Sequence, residues 1–107
     1  MQEFLKITSA INDESRVLIL AFLKTHGELC VCDLQDSLGM IQSRLSRHLK
    51  ILKEAGFLEL KRSGVWAYYS VKTDLDGFCA KALAEIENLG LDLPKLKKIS
   101  CDCKDEK

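Results

Sequence analysis

The sequence predicts a mostly α-helical domain that carries one β-hairpin. Apolar residues recur at helical spacing through most of the chain, and a turn at Gly39 separates two of the helical segments. A short segment of alternating apolar and charged residues then leads through Ser63-Gly64 into a segment rich in β-formers. The chain has 107 residues, 47% of them apolar, which suits a single domain with one compact core.

Two helices are predicted before the first glycine. Gln2–Ile11 has apolar residues on one face and reads as a short amphipathic helix. Asp13 is expected to cap a second helix over roughly Glu14–Thr25. Because the run Val17–Leu23 makes this helix apolar almost all round, we expect it to be the central buried helix, ended by Gly27.

The next segment predicts a helix-turn-helix. A short helix is expected over Val31–Leu38, followed by a tight turn at Gly39-Met40 and a longer helix over Gln42–Ala55. The longer helix should end at Gly56. Its inward stripe is formed by leucines, namely Leu45, Leu49 and Leu52.

Strands over Leu58–Arg62 and Val65–Val71 follow, joined by the Ser63-Gly64 turn signal, and a last helix is predicted over Asp74–Leu89. The complete order is helix, helix, short helix, turn, long helix, hairpin, helix. A basic hairpin directly after a helix-turn-helix is a wing, so the predicted fold is a winged helix-turn-helix. We expect residues 1–90 to form this DNA-binding domain and residues 91–107 to be a flexible, cysteine-containing tail.

The basic residues are concentrated on one segment, although the net charge of the chain is zero. Residues 42–72 contain seven basic and two acidic residues, a net charge of +5, whereas the remainder has nine basic and fourteen acidic residues, a net charge of −5. This asymmetry indicates a polyanionic partner.

The second helix of a helix-turn-helix enters the major groove of DNA, where Gln pairs with adenine and Arg with guanine. The alternative is that the same residues are only the polar face of a surface helix, and His48 has the further alternative of packing locally. The predicted DNA-binding residues are Gln42, Ser43, Arg44, Ser46, Arg47, His48 and Lys50 in the helix, and Lys61 and Arg62 in the hairpin.

No export signal or targeting segment is visible, and the longest apolar run has seven residues, too short to cross a bilayer. We therefore expect a cytoplasmic protein with no membrane partner. The five cysteines are an odd number, so metal or redox chemistry is favoured over a disulfide framework.

Cys30 and Cys32 begin the short helix, where the helix dipole favours the thiolate form that binds soft ions. Residues two apart in an ideal helix are turned by about 200°, so binding of one ion by both thiols is expected to distort this first turn. Cys101 and Cys103 could complete the site from the tail, while Cys79 is expected in the core. The alternative for Cys30 and Cys32 is a pair of ordinary buried cysteines.

The segment Glu28–Leu34, which contains Cys30-Val31-Cys32, resembles the metal-binding box of arsenic-responsive repressors of the ArsR/SmtB family. Gln42–Gly56 resembles the recognition helix of that family and Lys61–Tyr69 its wing, and the likeness extends over about residues 2–90. The resemblance implies a homodimer joined through the first and last helices. It also implies a repressor that needs no cofactor to bind double-stranded operator DNA and leaves it when As(III) or Sb(III) binds cysteine thiolates.

One position departs from the arsenic-type pattern. Many such boxes have a third cysteine where this chain has Gln35, so Cys101 or Cys103, from the same or the other subunit, is the candidate third ligand. The same box occurs in Cd(II) and Pb(II) sensors of the family, and a two-thiol site would also suit a methylated trivalent arsenical. These inducers remain alternatives.

Three other function classes compete with the repressor as explanations of the same residues. A thiol arsenate reductase or phosphatase needs an Arg six positions after its Cys, and none of the five cysteines has one, so we predict that the chain is not an enzyme. A regulator whose cysteine pairs act as a redox switch is the strongest alternative. The third class is a winged helix used for protein–protein contact.

Overall fold

A computed structural model describes residues 1–96, and the predicted mostly α-helical winged helix-turn-helix is confirmed. The elements are, in chain order, α1 (Gln2–Ala10), α2 (Glu14–His26), β1 (Leu29–Cys30), α3 (Val31–Leu38), α4 (Gln42–Ala55), β2 (Leu58–Ser63), β3 (Trp66–Val71) and α5 (Gly77–Asn88). The two helices of the helix-turn-helix, α3 and α4, have the predicted bounds.

The wing contains a strand that the sequence did not predict. β1 pairs antiparallel with β3, through Leu29 opposite Tyr69 and Cys30 opposite Tyr68, which gives a three-stranded sheet in the order β1-β3-β2. The hairpin turn also lies one residue later than expected, at Gly64-Val65, because Ser63 still pairs with Trp66. Gly64 has a φ of +64°, which suits the first central position of a two-residue hairpin loop.

The last helix begins at Gly77 and not at Asp74 as predicted. The carboxylate of Asp76 accepts a hydrogen bond of 3.0 Å from the backbone N–H of Cys79 and so caps α5. The prediction began the helix at Asp74 because Leu75 fits the helical apolar spacing, whereas the capping carboxylate belongs to Asp76.

The core forms around α2, as predicted from its apolar run. Five consecutive residues, Ile19 to Leu23, are buried, and α2 packs against α4, α5 and β3. The leucine stripe of α4 closes the core from the other side together with Phe57 and Leu58. The fully buried large side chains of these elements include Phe22, Leu45, Leu49, Leu52 and Phe57.

The tight turn of the helix-turn-helix depends on Gly39. This residue has a left-handed backbone with a φ of +68°, and its N–H donates to the carbonyl of Gln35 at 2.9 Å. Because a side chain would strain this conformation, glycine here fixes where α3 ends. None of the helices within residues 1–96 is long and apolar enough to cross a membrane.

Replacement of Leu49 by Ala should reduce the free energy of unfolding by about 2–5 kcal/mol, because it removes buried apolar area and leaves a cavity in the core. Urea unfolding followed by circular dichroism measures this change. Glu54→Ala, an exposed position on the same helix, is the control and should change stability by less than about 0.5 kcal/mol. Equal effects of the two substitutions would contradict the packing of α4.

Candidate nucleic-acid interface and thiol site

The outer face of α4 presents polar and basic side chains to solvent. Its opposite face is held by the buried leucine stripe, so the side chains on the far side of the helix are turned outward. Ile41, which precedes the helix, makes no side-chain cap, and the first turn of α4 is exposed. The exposed predicted DNA-binding residues of α4 are Gln42, Ser43, Arg44, Ser46, Arg47 and Lys50.

The hairpin lies beside the beginning of α4. Gln42 lines one groove together with Val65, Trp66 and Ala67 from the hairpin tip, and β2 packs against α4. Lys61 and Arg62 are exposed on β2, opposite Tyr68 and Ala67 of β3. The structure therefore brings the two halves of the predicted DNA-binding surface next to each other.

His48 is a correction to the predicted set. Its side chain is only 7% exposed, and its Nδ1 lies 3.1 Å from Nη1 of Arg16 on α2. Helical spacing places His48 one turn before Leu52 and between the outward and inward stripes, and the packing of α1 and α2 on α4 buries it. The His48 side chain therefore packs locally, as the alternative prediction had it, and is not placed to contact DNA directly.

Arg16 was not singled out from the sequence, yet it joins three helices. Its Nε donates to the carbonyl of Ala10 at 2.6 Å, and its Nη2 donates to the carbonyl of Ser9 at 3.3 Å, both at the end of α1. Nη1 also lies 3.9 Å from a carboxylate oxygen of Asp13. The sequence signal was only an Arg one turn after a predicted cap residue.

Asp13 caps α2, as predicted, by accepting hydrogen bonds from the backbone N–H groups of Ser15 at 2.8 Å and Arg16 at 3.2 Å. Desolvation opposes its ionisation, but these hydrogen bonds and the nearby Arg16 charge prevail and lower the pKa of Asp13. For His48, burial is the largest effect, and it lowers the pKa of the ring below the ordinary value of 6.5.

The two cysteines of the box lie at the junction of β1 and α3. Cys30 is 1% exposed, pairs with Tyr68 in the sheet, and has an extended backbone with φ −84° and ψ 165° at the cap position of α3. Cys32 lies in the first turn of α3 and is half-buried. Cys30 thus precedes the helix and only Cys32 is helical, so the turn of about 200° expected between two helical residues does not apply to this pair.

Cys32 lines the same groove as Gln42 and the hairpin tip, together with Val31 and Gln35. Gln35, which stands where many arsenic-type boxes have a third cysteine, thus faces the groove that Cys32 lines. Within residues 1–96, no group of three or more His, Cys, Asp or Glu side chains is gathered as a metal site. The predicted ligands Cys101 and Cys103 lie outside the described residues.

Cys79 is a core residue, as expected. Its Sγ lies 3.9 Å from the carbonyl oxygen of Ala55 at the end of α4. Burial, with a smaller contribution from the Asp76 carboxylate, raises the pKa of the Cys79 thiol to about 11. This thiol stays protonated near neutral pH and is a poor ligand for a soft ion.

An exposed apolar surface extends over α1 and α5. The rings of Phe4 and Phe78 lie 5.1 Å apart between their centroids, and both remain partly exposed. Leu5 on α1 and Leu89, the residue directly after α5, are 53% and 63% exposed, which is high for large apolar residues. We call Phe4, Leu5, Phe78 and Leu89 the α1/α5 patch.

Comparison with known proteins identifies the family. A family model described as "Bacterial regulatory protein, arsR family" matches residues 13–59, which extend from the α2 cap into β2. The chain is 36% identical over 81 residues to an "Arsenical resistance operon repressor" of Escherichia coli, covering 76% of this chain and 69% of that protein. It is 38% identical over 65 residues to a protein of the same description from Bacillus subtilis, covering 61% and 62%.

Solved structures agree with this fold. NolR from Sinorhizobium fredii superposes with a TM-score of 0.68 at 29% identity, covering 82% of this chain and 84% of that chain. A homodimeric winged helix-turn-helix DNA-binding domain from Mycobacterium bovis superposes with a TM-score of 0.66 at 24% identity, covering 83% and 79%. These relatives are regulators and not enzymes. The chain therefore belongs to the arsR family of bacterial regulatory proteins, as a winged helix-turn-helix transcriptional regulator.

Proposed function

We propose that this chain is a metalloid-responsive repressor that binds operator DNA as a dimer and dissociates when As(III) or Sb(III) binds the thiolates of Cys30 and Cys32. One observation carries the proposal. Both cysteines lie where β1 meets α3, and these two elements contact the two DNA-facing parts of the fold, since β1 pairs with β3 of the wing and α3 packs against α4.

The DNA-binding surface in this proposal combines base contacts and phosphate contacts. Gln42, Arg44 and Arg47 have the side chains that read adenine and guanine in the major groove. Lys50 and the hairpin cations are better placed for the phosphate backbone, which gives affinity that depends on salt. The proposed set is Gln42, Ser43, Arg44, Ser46, Arg47, Lys50, Lys61 and Arg62, with His48 removed because it is buried.

The chemistry of the two thiols supports a soft ligand. Thiolates are the soft donors among protein side chains, and both cysteines lie at the beginning of α3. Trivalent arsenic takes three thiolates when it is fully ligated by a protein. The third ligand is proposed from Cys101 or Cys103, in the segment 91–107 that follows the DNA-binding domain of residues 1–90.

The same junction suggests how inducer binding weakens DNA binding. Cys30 is committed to the sheet through its pairing with Tyr68, whereas Cys32 belongs to the first turn of α3. An ion that draws the two sulfurs together must alter the sheet pairing or the first turn of α3. Either change displaces the wing or α4, so DNA affinity falls.

The α1/α5 patch supports the dimer. An exposed apolar surface on two neighbouring helices is costly for a monomer, and a second copy of this chain would cover it. The chemistry of the patch is almost entirely apolar, which is typical of interfaces between identical subunits. The homodimeric relative from Mycobacterium bovis has the same fold.

Cadmium is a second candidate inducer. The chain is 36% identical over 66 residues to the "Cadmium resistance transcriptional regulatory protein CadC homolog" of Staphylococcus aureus, covering 62% of this chain and 54% of that protein. Two cysteine thiolates also suit this soft cation. Titration of both ions against one DNA complex decides between them.

The DNA probe is a duplex that the wild-type protein selects from a randomised pool. Substitution of Arg47 by Ala should weaken binding to this duplex about 5- to 100-fold, because one guanine contact is lost. Lys50→Ala should instead flatten the dependence of log affinity on log salt by about one unit. Fluorescence anisotropy over a salt series measures both. Lys24→Ala, an exposed charge on α2, is the control, and an equal loss in that variant would contradict the assigned surface.

Arsenite should release the wild-type protein from that duplex, and neither Cys30→Ser nor Cys32→Ser should respond, because each leaves one thiolate. The double change Cys101→Ser/Cys103→Ser should raise the arsenite concentration needed for release. Anisotropy follows the release, and X-ray absorption counts the sulfur neighbours of arsenic. Cys79→Ser is the control, and a normal response of the tail variant would remove the proposed third ligand. Release by peroxide but not by arsenite or Cd(II) would favour the redox switch.

Leu89→Glu should convert the dimer into a monomer, because it places a charge within the apolar patch. The folded monomer should tolerate this charge, since Leu89 is exposed in the single chain. Sedimentation velocity measures the mass. Val65→Glu makes the same change at an exposed apolar residue of the hairpin tip and should remain dimeric. A dimer that survives both changes would place the interface elsewhere.

A further inference from the structure

The strongest remaining feature is the cluster around Arg16. This guanidinium is part-buried, and its Nε and Nη2 donate hydrogen bonds to the carbonyls of Ala10 and Ser9. Both carbonyls lie at the end of α1, where helix carbonyls lack partners within the helix. Nη1 reaches His48 in the middle of α4. One side chain of α2 thereby ties the end of α1 to the recognition helix.

The protonation state of His48 follows from its partner. A guanidinium has donors only, so Nδ1 of His48 must accept the hydrogen bond and the neutral ring carries its proton on Nε2. Nε2 is buried and has no hydrogen-bond partner within residues 1–96. A second proton on Nδ1 would abolish this hydrogen bond and set two cationic groups against each other at 3.1 Å.

The charges that face His48 come from α2 and α4. Burial is the largest influence and lowers the pKa of the ring, the Asp13 carboxylate raises it, and the charges of Arg16, Arg44 and Arg47 lower it further. Because the pKa in the folded protein lies below the ordinary 6.5, the neutral ring is the native form at neutral pH. The stability it contributes is present above about pH 6.5 and is lost as the pH falls through the folded-state pKa.

We propose that Arg16 and His48 are positioning residues for DNA binding, whose hydrogen bond holds α4 in its DNA-binding position against α1 and α2 and is released when His48 is protonated. His48 follows Arg47 directly, so a shift of α4 at this point moves the proposed base-contacting residues. The inference rests on the proposed binding of DNA by α4. It makes mildly acidic conditions a second input that lowers DNA affinity independently of the thiol ligand.

The sign of the pH effect distinguishes this role from simple electrostatics. An additional positive charge on α4 would strengthen binding to the polyanion. Loss of the Arg16–His48 hydrogen bond should weaken it. Acidification therefore has opposite effects in the two cases.

The test is DNA affinity, by anisotropy with the selected duplex, from about pH 7.5 to about pH 5.5 at constant salt, with circular dichroism confirming the folded state. Wild-type affinity should fall as the pH drops below the pKa of His48, and by no more than about tenfold at pH 5.5 because that pKa lies below 6.5. The fall should begin near the pKa of the His48 ring measured by NMR in the free protein. Arg16→Gln should raise that ring pKa, because one facing cation is removed.

Two histidine variants complete the design. His48→Asn keeps an acceptor for Arg16 near the position of Nδ1 but cannot titrate, so its affinity should be independent of pH. His26→Asn alters the other histidine of the chain, an exposed residue beside Phe22, and should retain the wild-type profile.

Tighter or unchanged wild-type binding on acidification, or a pH-dependent His48→Asn variant, would overturn the proposal. If the wild-type protein bound no duplex at any pH, the proposed function would fail instead. The NMR titrations of the wild type and Arg16→Gln would then still test the Arg16–His48 contact, and an unchanged ring pKa would contradict it.

Discussion

The burial of the leucine stripe of α4 in the core is the constraint on which the other features depend. Leu45, Leu49 and Leu52 are fully buried, and this fixes the rotation of α4 about its own axis. Once that rotation is fixed, the side chains on the opposite face of α4 point outward, while His48, at the edge of the stripe, is buried. The proposed DNA-binding surface is thus a consequence of core packing, and the close-packed core beneath it limits how far it can move.

The parts of the fold that local patterns encode were predictable from the sequence. Gly39 ends α3 and Gly56 ends α4, and the apolar spacing within α4 identifies its inward face. The bounds of α4 and most of its exposed side chains could therefore be predicted. The strand β1 did not, because two residues carry no periodicity and the strand exists only through its pairing with β3, almost forty residues later in the chain. Pairing over such a distance is a tertiary property.

The same distinction explains the site residues. Cys30 and Cys32 were identified by residue type and spacing, but their relative geometry was wrong because it depended on β1. His48 was predicted to contact DNA because it belongs to the N-terminal half of the recognition helix, whereas its burial is imposed by α1 and α2. Arg16 was overlooked for a related reason, since its acceptors belong to the end of another helix.

The two features that local patterns did not predict, the β1–α3 junction and the Arg16–His48 contact, both hold α4 in place. One support is the β1–α3 junction, where a soft ion would act, and the other is the Arg16–His48 contact, where a proton would act. They belong to different elements and share no side chain, so their free-energy effects on α4 should add. In a repressor built in this way, the soft ion and the proton would each lower DNA affinity according to how far they displace α4. The two would not need to bind at the same site.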